Sequence, residues 1–274
     1  MHEKTIILVD AHVHLYPSFD IEKAIRAGLD NFNRIAGDPS GEGIVRMWLL
    51  TERSDCHFFQ KAMESPDRVL PPESAFYLQR GIDSLAVKNH HDDRTVLYIL
   101  PGRQIVTNDG LEVCALGTTY YQQDRVQNTQ STIDLIRQHD GIASLNWAPG
   151  KWFFDRGKIV RKILEHNSPD TLLIGDTSMR PSFWRQPKLM TFAADKGFKI
   201  IAGSDPLPFA GEEKLISSYG SKILGIFDPD RPVEAIKSLL TNAGTSIAPF
   251  GKRSATFTFV SRQIKIMLEK RKRA

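Results

Sequence analysis

The sequence predicts an α/β domain of parallel strands joined by helical crossovers, either closed into a barrel or open and doubly wound. Three observations carry that expectation. Short apolar, β-branched runs recur from residue 5 onward. In the second half of the chain, segments with helical spacing stand between consecutive runs, the alternation that parallel strands with crossovers require. The 274 residues suffice for one such unit with a well-buried core, and no repeat or low-complexity linker divides them. A single domain over residues 1–274 is expected, ending in a short basic tail at about residues 269–274.

In chain order, residues 5–9 read as a buried strand. Asp20 is placed to cap a helix over residues 21–35, whose apolar side chains fall at helical spacing. Residues 44–50 give a second strand. Pro71-Pro72 then predicts the entry to a helix over residues 74–87, because proline fits a helix start and not its interior. Strand-like runs at 96–100, 104–107 and 111–116 follow, the last two joined by Asn108-Asp109-Gly110, a hairpin signal. Beyond them, strands at 142–145, 172–174 and 199–202 alternate with helices at 158–166, 188–196 and 212–219. Pro232 opens a further helix, and residues 257–268 suit a terminal strand or an amphipathic helix.

Hydrophobic residues at 41% and charged residues at 25% are the balance of a folded chain, not a disordered one. No apolar run approaches the ~20 residues that span a bilayer, so no membrane partner is expected. The run Ile6-Ile7-Leu8-Val9 is too short for a signal-peptide core and leads straight into Asp10 and His12. Two cysteines, Cys56 and Cys114, make no disulfide framework, and a cytoplasmic protein is expected. The net charge of +4 equals that of Lys270, Arg271, Lys272 and Arg273 together. The excess is therefore a property of the tail and supports nucleic-acid binding only weakly.

The chemistry gathers at strand ends. Alternation along a strand puts Asp10, His12 and His14 of Asp10-Ala11-His12-Val13-His14 on one face. Two imidazoles so placed can close on one cation, with Asp10 able to orient a ligand from behind. A second apolar run, Ile200-Ile201-Ala202, ends in Gly203-Ser204-Asp205-Pro206 and delivers a carboxylate to another strand's carboxyl end. His12, His14 and Asp205 then make a mixed nitrogen and oxygen set suited to Zn, Mn or Fe, with room for water or substrate. By contrast, His90-His91-Asp92-Asp93 reads as a solvated loop before a strand. His57, beside Cys56, reaches the site only if its loop folds inward, and Arg180 and Arg185 flank Trp184 as a loose anion patch.

Six segments, taken in order, resemble motifs of the PHP (polymerase and histidinol phosphatase) superfamily over nearly the whole chain. They are Val9-Asp10-Ala11-His12-Val13-His14, Leu50-Thr51-Glu52-Arg53 and Ile99-Leu100-Pro101-Gly102-Arg103-Gln104-Ile105. Leu111-Glu112-Val113-Cys114-Ala115-Leu116-Gly117, Trp147-Ala148-Pro149-Gly150 and Ala202-Gly203-Ser204-Asp205-Pro206-Leu207 complete the set. The resemblance implies a distorted (β/α)7, TIM-like barrel with up to three metal ions that hydrolyses phosphomonoesters or phosphodiesters. Several ligand positions depart from the family pattern. Glu52 stands for an aspartate, Arg53 for a histidine, Gln104 for a bridging carboxylate, and Ala148 and Leu207 for histidines. Cys114 falls near a further histidine position.

These departures shrink the expected metal complement. Neutral Gln104 offers one carbonyl oxygen and cannot offset the repulsion between two close cations. Ala148 and Leu207 ligate nothing, and His166 is the last histidine in the chain, so none can replace the one missing at 207. The expectation is one divalent metal (Zn, Mn or Fe) or none, held by His12, His14 and Asp205 with Gln104 as a weak fourth ligand. Arg53, a guanidinium at a metal-ligand position, and Asp10 are the catalytic candidates, while Glu52, Cys114, Lys151 and Arg103 line the mouth. A small phosphorylated molecule is the expected substrate. Two alternatives stand beside this hydrolase. One is a catalytically retired barrel that binds a ligand or protein, and the other an amidohydrolase-like metal hydrolase, which also joins an HxH strand to a late aspartate.

Overall fold

A computed structural model of the chain describes residues 4–37 and 43–273. The chain opens with β1 (Thr5–Val13), α1 (Ile21–Ala36) and β2 (Ile44–Leu50). As the sequence predicts, Asp20 caps α1, its side chain accepting from the Lys23 amide at 3.0 Å, and Gly37 ends the helix at φ 70°. Next come α2 (Phe58–Glu64), β3 (Phe76–Arg80), β4 (Leu85–Asn89), β5 (Thr95–Leu100), β6 (Gly102–Val106) and β7 (Glu112–Leu116). The second half runs α3 (Thr129–Gln138), β8 (Ile142–Asn146), α4 (Phe154–His166), β9 (Leu172–Thr177), α5 (Lys188–Asp195) and β10 (Ile200–Gly203). It closes with β11 (Tyr219–Gly225), α6 (Pro232–Thr241), β12 (Ile247–Gly251) and α7 (Thr256–Arg273).

The strands form two sheets, of order β12-β11-β1-β2-β5-β4-β3 and β10-β9-β8-β7-β6. The fold is thus mixed α/β, and no single closed ladder runs through all the strands. The reason lies in β1, whose edge is taken by antiparallel β11 from Thr5 to Val9. Only past that point can β10 reach it, where the Asp205 amide donates to the His12 carbonyl at 2.9 Å. A second seam joins β2 to β6. The Glu52 amide donates to the Gly102 carbonyl at 3.1 Å, and the Gln104 amide to the Glu52 carbonyl at 3.0 Å. Pro101 separates β5 from β6 and lets the chain pass from one sheet to the other, as a residue without an amide proton does well. Between the seams, Ile7, Val9 and Met47 of the first sheet share one buried cluster with Cys114, Leu173 and Ile201 of the second.

Several expectations need correction. Residues 74–87 are not a helix but the β3–β4 hairpin, paired antiparallel from Phe76↔Asn89 to Arg80↔Leu85. Phe76 and Leu78 are buried with half-buried Tyr77 between them, Leu85 and Val87 likewise around Ala86, and Gly81 lies in the turn, so the period there is two. Of the helix expected at 212–219 only a single 3-10 turn, Glu212–Leu215, forms, and Tyr219 starts β11. Besides β3 and β4, the elements α2, α3, β11 and β12 were not foreseen. β7 pairs antiparallel with β6, as the hairpin signal at Asn108-Asp109-Gly110 predicts, but also with β8, so the sheet is less uniformly parallel than expected. The backbone of the basic tail is helical to Arg273, and Ala274 lies outside the described residues.

Candidate metal centre

His12 and His14 lie at the carboxyl end of β1, where the β1–β2 register shifts between Asp10 and Val13. Asp205 lies just past β10. A Cβ on Gly203 would overlap the backbone and Cβ of His12, so only glycine lets β10 come this close. Asp205 itself has φ 52°, a left-handed conformation that non-glycine residues seldom take. It is held there by the hydrogen bond from its amide to the His12 carbonyl and by Arg262, which donates to its carbonyl at 2.8 Å.

Three donor atoms converge, with Gln104 Oε1 against one of them. His12 Nε2 lies 3.1 Å from His14 Nε2, 2.9 Å from Gln104 Oε1 and 3.5 Å from Asp205 Oδ1. His14 Nε2 lies 3.6 Å from Asp205 Oδ1. Donors held about 2.0–2.2 Å from a common centre sit ~2.8–3.6 Å apart at octahedral to tetrahedral angles, so the set fits one divalent cation. Among the described residues, His12, His14 and Asp205 are the cluster of metal-capable side chains. The electrostatics agree. Burial pushes the Asp205 carboxyl up, but His12, His14 and Arg262 outweigh it and hold the group well below the usual carboxylate range. Burial, with His12 nearby, lowers the His14 pKa despite Asp205, which favours the neutral ring that a metal requires. His14 Nδ1 is buried without a hydrogen-bond partner.

Asn146, at the end of β8, was missed by sequence reasoning. Its Nδ2 lies 3.0 Å from His12 Nδ1 and 2.8 Å from Cys114 Sγ. With Nδ2 donating, the neutral His12 ring carries its proton on Nε2 and gives it to Gln104. A half-turn of the amide would set its oxygen on Nδ1, move the proton there and free Nε2 as a ligand. Gly175 makes room, since a Cβ there would overlap the Asn146 amide. Replacing Asn146 by leucine should therefore weaken metal affinity about 10–100-fold. Competition with a chromogenic chelator checks this, and unchanged affinity would remove Asn146 from the site.

The donors open on a cavity of 340 Å³ whose wall includes Arg53, Lys151, Glu112, Leu207 and Ile266. Arg53 pairs with Asp55 at 2.8 Å and lies over the Tyr16 ring. Lys151 is tied to Glu112 at 2.6 Å.

Other expected site residues turn elsewhere. Asp10 is fully buried and accepts from the Ser204 amide at 2.8 Å, the Ser217 amide at 2.7 Å and the Ser204 hydroxyl. It braces the backbone that carries Asp205 and does not touch either imidazole ring; burial pushes its carboxyl up to about 6 against those bonds. Glu52 caps α2, accepting from the Phe58 and Phe59 amides. Arg103 points away from the cavity, donating to the Arg53 carbonyl at 3.1 Å and the Cys56 carbonyl at 2.8 Å, with His57 beside it. Glu52 and Arg103 line a different depression. Cys114 lies beneath His12 behind Asn146, and burial raises its thiol pKa, so it stays a neutral packing group. Arg180 is no anion patch, because Asp176 binds its Nε at 2.7 Å. His90, His91, Asp92 and Asp93 form the exposed β4–β5 turn, as expected.

No protein-family model matches the chain, and no curated protein does. Among solved structures it is similar to PsfC from Pseudomonas syringae PB-5123, with a TM-score of 0.57 at 11% identity over 96% of this chain and 98% of that one. This is a likeness of fold. Matches also extend to a two-domain Bacteroides vulgatus protein containing a predicted PHP-like metal-dependent phosphoesterase (TM-score 0.47, 13% identity, 89% of this chain and 65% of that one). Another is the lesion-specific endonuclease PfuEndoQ from Pyrococcus furiosus (TM-score 0.48, 8% identity, 90% and 59%).

Proposed function

We propose that the chain is a metal-dependent phosphoesterase of the PHP type, with one divalent cation at His12, His14, Asp205 and Gln104 and a small phosphate ester as substrate. The observation that supports it most is the convergence of His12 Nε2, His14 Nε2 and Asp205 Oδ1 within 4.8 Å of one another, beside a cavity. In this reading β1, β2, β6, β7, β8, β9 and β10 make a distorted seven-strand barrel, joined at the two seams. Its donors stand at the carboxyl ends of β1 and β10, where such folds place their chemistry.

When bound, a divalent cation supplies Lewis acidity toward a phosphoryl oxygen and acidifies water. The chain's own residues supply the rest. Arg53 is held by an exposed carboxylate, Asp55, a weak and screened pairing that a phosphate can displace. Its guanidinium then binds two phosphate oxygens and offsets the charge that builds up on them. Leu207, Ala148 and Ile266 form an apolar wall that excludes water and suits a substrate with an apolar part.

Elemental analysis of protein purified without chelators, paired with an aryl phosphate assay, tests the proposal. About one divalent ion per chain and metal-dependent hydrolysis are expected. Arg53→Met should keep the ion and lower kcat/KM by about 10²–10³. Absence of both metal and activity in folded protein would favour a binding module, and two or three ions per chain would overturn the one-metal assignment.

A further inference from the structure

The outer face of α7 has no partner among the described residues. At 3.6 residues per turn, Phe257, Val260, Ile264, Met267 and Leu268 fall in one stripe about 100° wide. Phe257 is 86% exposed, and the other four are 46–57% exposed. The opposite face is committed, since Arg262 is buried and Gln263, Ile266 and Glu269 line the cavity. The aromatic surface continues past the first turn of the helix. Phe183 packs on Phe259, the Trp184 carbonyl accepts from Arg253 at 2.8 Å, and Phe153 stacks on Trp184. Next to it, Phe154 is 92% exposed at φ 54°, a backbone state that bulky residues rarely take.

Charge identifies the occupant. Between Lys252 and Arg273 eight basic residues stand against one acidic residue, Glu269, and of the eight Arg262 is buried and paired with Glu212. The segment thus carries +7 in a chain of +4, leaving −3 for everything else. A second copy of α7 is a poor match for this face, because basic residues flank both ends of the stripe and repel in either orientation. A nucleic acid would answer the charge but leave five apolar side chains without hydrogen-bonding function against phosphates. An anionic bilayer answers both, taking the apolar stripe into the acyl boundary and the cations at the headgroups.

We infer that α7 docks the protein on anionic lipid surfaces, lying flat with the Phe257–Leu268 stripe inserted and Lys265 and Arg271 at headgroup level. No described helix is long and apolar enough to cross a membrane, and this mode of binding needs none. Docking sets the mouth of the cavity beside the bilayer, since the same helix forms part of the cavity wall. The inference stands apart from the phosphoesterase proposal and needs no metal.

Co-sedimentation of the full chain with phosphatidylcholine vesicles, with and without about a third phosphatidylserine, tests it. At least about tenfold stronger partitioning onto the anionic vesicles is expected, weakened by high salt. Ile264→Asp and, separately, Arg271→Glu should each reduce it by about fivefold or more, with the thermal melting point unchanged because both side chains are exposed. Equal partitioning onto both vesicle types, or full binding by Ile264→Asp, would overturn the inference. So would an Ile264-dependent dimer in sedimentation velocity, or tighter binding to a single-stranded oligonucleotide than to the anionic vesicles.

Discussion

Replacing His14 by alanine is expected to take metal content from about one ion per chain to near zero while leaving the protein folded. The ring contributes Nε2 to the donor set, 3.1 Å from His12 Nε2 and 3.6 Å from Asp205 Oδ1. Losing a direct ligand should exceed the about 10–100-fold effect of removing a supporting partner. Stability of the metal-free protein should change little, because two effects oppose each other. Truncation leaves a void against Tyr16, on which the ring stacks. It also removes the buried Nδ1 that has no hydrogen-bond partner. Metal-linked stability is a different matter. An ion that binds the folded state adds about 2.7 kcal/mol at a hundred times its dissociation constant, and the variant should forgo all of it. Thermal melts with and without zinc or manganese separate the two contributions: the parent should shift upward with metal and His14→Ala should not. A variant that still carries stoichiometric metal would place the ion elsewhere. His12→Ala is a useful contrast, since its loss strands Gln104 and Asn146 and should lower the stability of the metal-free protein as well.

The donor set was legible in the sequence because its information is local. Two histidines spaced by two on an apolar strand, and an aspartate directly after another, need only the alternation of a strand to be read. Gln104 came instead from the resemblance, as the residue standing for a bridging carboxylate. Glu52 and Arg103 show the limit, since both sit in the right segments yet face away from the cavity. Glu52 is claimed by the α2 amides a few residues on, and Arg103 by the Arg53 and Cys56 carbonyls, which become its neighbours only when β2 and β6 meet at the seam. Asn146 was invisible for a related reason. Its value comes from sitting beneath His12, 134 positions away in sequence, and no pattern around it signals that. The misread hairpin at residues 74–87 is a different failure. Pro71-Pro72 suggested a helix entry, but the burial of Phe76, Leu78, Leu85 and Val87 follows the period of a strand. The closed barrel implied by the resemblance is not formed as one ladder, because β11 takes the edge of β1, and β11 itself was not foreseen.

Arg262→Met is expected to destabilise the protein by about 3–5 kcal/mol and to weaken metal binding, two effects with separate origins. Arg262 is 2% exposed and its Nη2 donates to Glu212 Oε2 at 2.7 Å and to the Asp205 carbonyl at 2.8 Å. Methionine fills much of the same volume, so the cost comes from what is left behind. Glu212 becomes a buried carboxylate whose remaining partner is the Leu207 amide at 3.0 Å. Asp205 loses the donor that holds its carbonyl, and with it part of the restraint on a left-handed backbone that the sequence alone would not adopt. The carboxylate it presents to His12 and His14 is then less well fixed. A second substitution tells the two effects apart. Arg262→Met combined with Glu212→Met removes the stranded charge and should recover most of the stability, since an apolar pair replaces a buried ion pair at little cost. It cannot restore the grip on Asp205, so metal affinity should stay low. Urea unfolding gives the first quantity and chelator competition the second. If the double variant regained both, Arg262 would be a packing residue for α7 alone. If metal affinity stayed low after stability had returned, the C-terminal helix would hold the third ligand of the site in place.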